Sequence, residues 1–248
     1  MATKDTLKHL FSHKIKGIIW KIILDDEHQI MAIESRTKEK EVYFYAYDFI
    51  NKQFLIEDKT FEEKWHLGLS TVHKGILYLH GFENEHSPTQ KQILAFDLIS
   101  NKLLWENYSH TAEGCYEEGI VAFNSRVLPK RLELLNKANG IFIKNISPEE
   151  LITFRPIIND IKLPEDHFEL DLWNSSQTLD YKDLQLKSFY QQKENKIDHV
   201  LTVHQNGNLI FTDYLNHDIQ KLMQDTFFVW TEKLVYIRNK SEIVSYLL

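Results

Sequence analysis

The segment Ala95-Phe-Asp97-Leu-Ile-Ser-Asn101-Lys-Leu-Leu-Trp105 decides the fold, because its pattern recurs along the chain. Ala46-Tyr-Asp48-Phe-Ile-Asn-Lys52-Gln-Phe-Leu-Ile56 aligns with it without gaps. Both segments carry Ala, an aromatic residue, Asp, an apolar residue and Ile, followed by a polar turn and a second apolar run. Two short apolar runs joined by a turn are typical of paired strands. The Asp carboxylate can accept backbone N–H groups of the turn that follows it.

Weaker copies of this repeat continue along the chain. Leu134–Lys144 carries Asn136 in place of Asp, and fainter copies surround Asp171 and Asp213. The Asp or Asn positions are on average about 41 residues apart. A period near 40 residues with about four short strands per unit is typical of a β-propeller blade. One such sheet cannot bury both of its faces, so blades stack on one another, and the Trp that closes a unit would pack between blades.

The repeat predicts an all-β, β-propeller-like fold with about five to six degenerate four-stranded blades. A large β-sandwich is the alternative. Residues 145–195 are the least repeat-like and contain Pro148, Pro156 and Pro164, so we expect a degenerate blade or an insertion there. No stretch rich in Gly, Ser or Pro separates two regions, which predicts a single domain over residues 1–248.

The pattern Ala95-x-Asp97-x3-Asn101-x3-Trp105 resembles the Ala-x-Asp-x3-Gly-x3-Trp signature of quinoprotein-like (pyrroloquinoline-quinone-type) β-propeller repeats. The match is weaker at 41–57 and weakest at 134–144. In those enzymes the repeat is structural and the cofactor sits in a larger, exported barrel. The resemblance therefore implies blade architecture without quinone chemistry, and we expect no cofactor. The chain also resembles uncharacterised bacterial domain-of-unknown-function families with degenerate propeller repeats.

Composition limits the classes of function. Hydrophobic residues make up 43% of the 248 residues and the net charge is −7. That hydrophobic content excludes wholesale disorder, and the acidic balance disfavours sequence-independent nucleic-acid binding. No apolar run approaches the ~18 residues of a membrane span, and no signal-peptide pattern begins the chain. We therefore expect a cytoplasmic protein without membrane association, with its lone Cys115 as a buried or half-buried thiol.

Polar residues follow the strands that would begin the blades. The segments Trp20–Leu24 and Trp65–Leu69 align, and in a propeller such strands would be innermost. Residues near their ends would then approach one mouth of the central channel. Carboxylates that converge there could bind a cation or raise one another's pKa for acid–base chemistry. Solvated turn residues are the alternative for this candidate ligand-binding set, which comprises Asp25, Asp26, His66, Ser70, Glu117 and Glu118.

Two further clusters carry weaker signals. His73, His80, Glu83, Glu85 and His86 suggest a metal site, but their spacing matches no known ligand pattern, and we favour a solvated hairpin loop without metal. Arg126, Lys130 and Arg131 form one short basic patch in an acidic chain, which we interpret as a rim or loop.

Sequence signatures of nucleophilic catalysis and of phosphate-binding loops are absent. The leading hypothesis is therefore a non-catalytic cytosolic propeller scaffold that binds a protein partner or a small ligand. The alternative is a hydrolase or lyase acting on a polar small molecule or sugar at the channel mouth. The sequence leaves open whether there is any catalysis, and it indicates no oligomeric state.

Overall fold

The computed structural model of the chain describes residues 7–62, 66–84, 87–169, 172–194, 196–220 and 227–248. The chain divides into two compact units. We call Ile19–Asn159 the central unit. Met1–Ile18 together with Asp160–Leu248 form the terminal unit. The prediction of a single domain over residues 1–248 stays a prediction.

Strands are the main secondary structure of the described residues. One short helix, α1, spans Pro148–Leu151, and a 3-10 helix spans Leu172–Asn174. No helix within the described part of the chain is long and apolar enough to span a membrane. The strands are β1 (Lys8–Lys14), β2 (Ile18–Asp25), β3 (Ile30–Arg36), β4 (Val42–Asp48), β5 (Gln53–Lys59), β6 (Leu67–His73), β7 (Ile76–Asn84), β8 (Ser87–Asp97), β9 (Lys102–Asn107), β10 (His110–Cys115), β11 (Ile120–Asn124), β12 (Leu132–Leu135), β13 (Phe142–Ile146), β14 (Ile161–Lys162), β15 (Glu165–His167), β16 (Ser176–Tyr181), β17 (Leu184–Lys193), β18 (Lys196–Gln205), β19 (Asn208–Asn216), β20 (Phe227–Trp230), β21 (Lys233–Arg238) and β22 (Glu242–Leu247).

The central unit contains three four-stranded sheets, each built from consecutive strands. Their orders are β2-β3-β4-β5, β6-β7-β8-β9 and β10-β11-β12-β13. The sheets pack face to face in chain order. One apolar cluster joins the first two sheets through residues such as Phe44 and Leu77, and another joins the second and third through residues such as Ile93 and Ile120. Burial of each face against the next sheet is the stacking that the repeat predicts.

The terminal unit contains two five-stranded sheets. One has the order β15-β16-β17-β18-β19 and the other the order β1-β22-β21-β20-β14. In the second sheet β1, from the start of the chain, pairs antiparallel with β22, from its end. A core that includes Leu201, Phe211, Phe227 and Leu234 lies between the two sheets.

This arrangement confirms the predicted all-β, propeller-like fold. The described strands form five antiparallel sheets of four or five strands, each dominated by an up-and-down run of neighbours. A β-sandwich would collect the strands into two sheets instead. Residues 145–195 have a mixed structure: 147–160 contain α1 and irregular chain, whereas 165–193 supply β15, β16 and β17.

The turn role predicted for the repeat Asp is confirmed at three positions. Asp48 Oδ1 accepts the N–H groups of Ile50 at 2.8 Å and Asn51 at 3.0 Å. Asp97 Oδ1 accepts equivalent bonds from the two N–H groups at the start of its turn, and Asn136 Oδ1 accepts the N–H of Ala138 at 2.8 Å. Each oxygen satisfies turn donors that the ladder leaves unpaired, which explains the recurrence of Asp or Asn.

Removing one of these acceptors should destabilise the fold. We expect Asp48→Ala to lower the free energy of unfolding by about 1–2 kcal/mol, since it leaves backbone donors of the turn without their partner. Asp48→Asn is the matched control, because the amide oxygen of Asn136 accepts a turn N–H in the same way. Urea unfolding followed by fluorescence measures both variants, and equal losses for Ala and Asn would contradict this role.

The fainter copies of the repeat differ. Asp213 lies within β19, where its Oδ2 accepts hydrogen bonds from Tyr236 and Arg238 of β21. It therefore joins two strands across the terminal unit and caps no turn, contrary to the sequence alignment. Asp171 lies outside the described residues.

Trp105, which closes the best repeat, packs on the next sheet as predicted. Its Nε1 donates a hydrogen bond of 2.9 Å to the carbonyl of Lys137, in the turn between β12 and β13. The indole also lies against Gly140 of the same turn, and an added Cβ there would come within 2.6 Å of the ring. The Trp therefore fixes the contact between two successive sheets.

Candidate functional site

A cavity of about 180 Å³ lies within the central unit. The first strand of every sheet in this unit, namely β2, β6 and β10, contributes to its wall, together with residues of β7, β8 and β11. The lining residues are Lys21, Ser70, Thr71, Tyr78, His80, Gln90, Ile93, Ala112, Glu113, Gly114, Cys115 and Ile120.

Two irregularities in strand pairing occur at the cavity wall. The register of β6 against β7 shifts between Leu69 and Thr71, and that of β10 against β11 shifts between Ala112 and Gly114. Each shift leaves one extra residue, Ser70 or Glu113, and both of these line the cavity. Bulges redirect side chains and are common beside functional sites.

A charge network around the buried Glu34 carboxylate reaches the cavity at Lys21, which is exposed. Glu34, only 1% exposed, accepts the N–H of Leu69 at 2.7 Å through Oε2 and Arg36 Nε at 2.7 Å through Oε1. Lys21 Nζ donates to the carbonyl of Leu69 at 2.7 Å. Partial burial lowers the pKa of Lys21, although the Glu34 carboxylate opposes this shift. Both backbone polar groups of Leu69, its N–H and its carbonyl, therefore bond to side chains of the first sheet.

His80 is a buried, neutral imidazole in the cavity wall. Its Nδ1 and Ser70 Oγ share a hydrogen bond of 2.8 Å. Burial, reinforced by the positive charges of Lys21 and Arg36, lowers the pKa of His80 to about 4. The ring fits against Gly68, where a Cβ would come within 2.6 Å of Nε2. At neutral pH His80 therefore offers hydrogen bonds without a charge.

Several residues of the cavity lining are apolar. Ile93 and Ile120 belong to the core between the second and third sheets, and Ala112 packs beside them. Burial raises the pKa of the Cys115 thiol to about 11, so the thiol stays protonated at neutral pH. Burial also raises the pKa of Tyr78, whose hydroxyl donates to the carbonyl of Lys137 at 3.2 Å.

The first two predicted site residues lie in the turn after β2. Asp25 is buried, and its carboxylate accepts the N–H of His28 at 3.2 Å and the N–H of Gly75 at 3.2 Å. These bonds tie the turn to the neighbouring sheet. Asp26 is half-buried, and its carbonyl accepts Gln29 Nε2 at 2.7 Å.

The next two belong to the chain around β6. Ser70 lines the cavity and contacts His80, so the prediction placed it correctly beside a concave site. His66 is half-buried, and its carbonyl accepts the N–H of Phe82 at 2.7 Å. His66 is not among the residues that line the cavity.

Glu117 and Glu118 follow β10 and point to different partners. Glu117 Oε2 lies 3.9 Å from Nε2 of the buried His73. Burial, and then the Lys137 charge, lower the pKa of His73, while Glu117 and Asp25 oppose the shift. Glu118 accepts the backbone N–H of Arg155 at 3.1 Å and its Nε at 3.2 Å. The structure thus brings Asp25 and Glu117 to the same histidine but draws Glu118 towards Arg155.

The described members of the histidine-rich cluster do not come together. His80 lies in the cavity wall, whereas His73 faces Glu117. Glu83 is exposed, and Glu85 and His86 lie outside the described residues. Among the residues that the structure describes, no group of three or more His, Cys, Asp or Glu side chains is placed to hold a metal ion.

Sequence reasoning missed Lys21 and Cys115 as cavity residues. The sequence could have singled out Lys21, because it is the lone cation in the apolar run Ile18–Leu24. It could not have singled out Cys115, since a buried thiol in a wall and one in a core have the same sequence context. The basic patch is exposed, and Lys130 pairs with Glu113 at 2.6 Å.

The sheets define an all-β, propeller-like protein with a small cavity bounded by the leading strands of three sheets. Residues 24–105 match a family described as a domain of unknown function (DUF4905). This segment contains the two best repeats, and the expected resemblance to a family of this kind is confirmed over it. No curated protein matches the chain.

The chain is also similar to solved propeller structures. BamB from Moraxella catarrhalis is 9% identical with a TM-score of 0.35, over 93% of this chain and 85% of that one. TolB from Acinetobacter baumannii is 11% identical with a TM-score of 0.33, over 93% and 54%. A europium-containing methanol dehydrogenase is 12% identical with a TM-score of 0.33, over 85% and 44%.

Proposed function

We propose that this chain is a non-catalytic, propeller-like binding protein whose central unit holds a small polar ligand in the cavity. The observation that carries the proposal is the convergence of Lys21, Ser70 and His80 on one concave surface. A few convergent polar groups opposite an apolar wall are typical of small-molecule sites.

The size of the cavity limits the ligand. Its 180 Å³ is below the range of about 300–1,000 Å³ that is usual for drug-sized ligands. One water molecule needs at least about 10–15 Å³ of such space, so the cavity has room for several water-sized groups. A metabolite-sized molecule fits this volume, whereas a folded partner or a long oligosaccharide would have to bind outside it.

The protonation states favour binding over catalysis. A nucleophilic cysteine needs a lowered pKa, but burial raises the pKa of Cys115 to about 11. A general acid–base group works best with a pKa near the working pH, and that of His80 is lowered to about 4. Within the described lining, the one carboxylate is Glu113, and Lys130 neutralises it. These features argue against the hydrolase or lyase alternative.

Native mass spectrometry of gently purified protein tests the proposal. We expect the wild-type chain to retain a small molecule that denaturation releases. Ala112→Met, which places a longer side chain in the cavity wall, should abolish retention. Ala138→Met is the matched control, because Ala138 is exposed in the turn between β12 and β13 and does not line the cavity.

Circular dichroism and melting temperature verify that both variants are folded. Equal retention by Ala112→Met and the wild type would contradict binding in this cavity. A bare wild-type chain that instead co-purifies with another protein would favour the scaffold hypothesis over the small-ligand site.

A further inference from the structure

We infer that the ligand of this cavity is a small monocarboxylic acid whose carboxylate binds the ammonium group of Lys21. This inference rests on the proposed function and specifies the chemical class of the ligand.

Among the described residues that line the cavity, Lys21 is the one cation, and it lacks an acidic partner. Arg36 pairs with Glu34 at 2.7 Å, and Lys130 pairs with Glu113 at 2.6 Å. Each pair is neutral as a unit. Lys21 Nζ has a hydrogen bond to the Leu69 carbonyl and no ion pair with a described carboxylate.

The charge of Glu34 acts on Lys21, but the carboxylate oxygens of Glu34 bond to other groups. Both oxygens of Glu34 are engaged, one by Arg36 Nε and the other by the N–H of Leu69. The carbonyl of Leu69 then holds Lys21 Nζ at 2.7 Å in the cavity lining. An ammonium group has three donors, so at least two remain for a bound anion. Lys21 is exposed, so its ammonium group is accessible to an anion that enters the cavity.

Neighbouring groups complete a carboxylate site. Ser70 belongs to the bulge in β6, and Thr71 follows it; both hydroxyl-bearing residues line the same cavity as Lys21. His80 is uncharged at neutral pH, so it adds hydrogen bonding without a second positive charge. One unpaired cation matches one negative charge, which favours a monocarboxylate over a doubly charged phosphate ester.

The rest of the cavity fits a short carbon chain. Ile93, Ala112 and Ile120 line it with apolar surface. Space for several water-sized groups suits an acid with a short carbon skeleton, such as butyrate or a hydroxylated relative. Longer chains would have to extend out of the opening.

Isothermal titration with butyrate and its uncharged isostere butyramide tests the inference. We expect the wild type to bind the acid at least about tenfold more tightly than the amide. In Lys21→Gln the two affinities should become equal. Lys102→Gln, which removes an exposed lysine of β9, is the matched control and should keep the wild-type ratio. Raising the pH should weaken butyrate binding at a lower pH than that at which an unperturbed lysine deprotonates.

The outcomes separate this inference from the proposed function. Equal binding of acid and amide, both abolished by Ala112→Met, would overturn the carboxylate while the cavity remained a ligand site. Failure of butyrate to bind at about 10 mM, where millimolar dissociation constants are measurable, would also overturn it. Tighter binding of inorganic phosphate than of butyrate would also overturn the inference of a monocarboxylate ligand. Absence of any retained molecule from the wild type would instead count against the proposed function itself.

Discussion

Acidification from pH 6.5 to pH 4 is expected to reduce the free energy of unfolding by about 3 kcal/mol at each of two buried histidines, His80 and His199. Both are buried, at 5% and 1% exposure. Burial lowers the pKa of each from 6.5 to about 4, with the charges of Lys21 and Arg36 adding to the effect at His80. Together the two losses would be a large part of the 5–15 kcal/mol that is typical of native proteins.

The direction of the effect follows from proton binding. Between pH 6.5 and pH 4 the unfolded chain protonates these histidines while the folded chain keeps them neutral. The unfolded state therefore binds more protons, and stability falls as the pH falls through this window. Above pH 6.5 both states are neutral, and below about pH 4 both are charged, so the contribution of the pair levels off at either end.

Urea unfolding at a series of pH values measures this effect. His199→Phe removes one titration but keeps an aromatic ring beside Tyr190, whose ring centroid lies 4.5 Å from that of His199. We expect its stability relative to the wild type to rise by about 3 kcal/mol between pH 7 and pH 4. His167→Gln, at an exposed position, is the control for replacing a histidine outside the core. Parallel curves for His199→Phe and the wild type would refute the assignment.

Gly140→Ala is expected to destabilise the central unit by about 3 kcal/mol, from two sources. Gly140 has a φ of +68°, where an L-residue costs roughly 1–2 kcal/mol. The added Cβ would also come within 2.6 Å of Trp105 Cε3, and such overpacking typically costs about 1–3 kcal/mol.

A second glycine separates these two sources. Gly207 has a φ of +79°, but a Cβ there would meet nothing within 4 Å. Gly207→Ala should therefore show only the backbone cost, and denaturant titration of both variants gives the difference. If Gly140→Ala and Gly207→Ala lowered the free energy of unfolding equally, the contact with Trp105 would contribute nothing to the loss.

The sequence predicts the sheets well because the residues that specify each hairpin are close together in the chain. A turn Asp with alternating apolar residues on either side specifies a hairpin almost by itself, as at Asp48 and Asp97. At Asp213 the local pattern fails to predict the role of the residue. Its neighbours resemble a repeat, but long-range bonds from Tyr236 and Arg238 decide what it does. No pattern near position 213 could reveal those partners.

The cavity was largely beyond sequence analysis for the same reason. Lys21, Tyr78 and Cys115 come from different sheets, and only the stacking of those sheets brings them together. Asp25 shows the opposite case, in which a residue predicted to face a ligand instead bonds to the backbone. A carboxylate after a strand has the same sequence signature whether it faces a ligand or, as here, accepts the N–H groups of His28 and Gly75. The role of the predicted acidic set as a ligand site remains a prediction.

The pairing of β1 with β22 has a consequence for how the protein emerges from the ribosome. The three sheets of the central unit are built from consecutive strands, so each can form soon after its own residues are synthesised. β1 is synthesised before all the other described strands, yet its hydrogen-bonding partner β22 is synthesised after all of them. At about 5–20 residues per second, Lys8–Lys14 would wait for tens of seconds with an unpaired edge. During this interval the lysines and other polar residues of β1 disfavour pairing with a wrong strand.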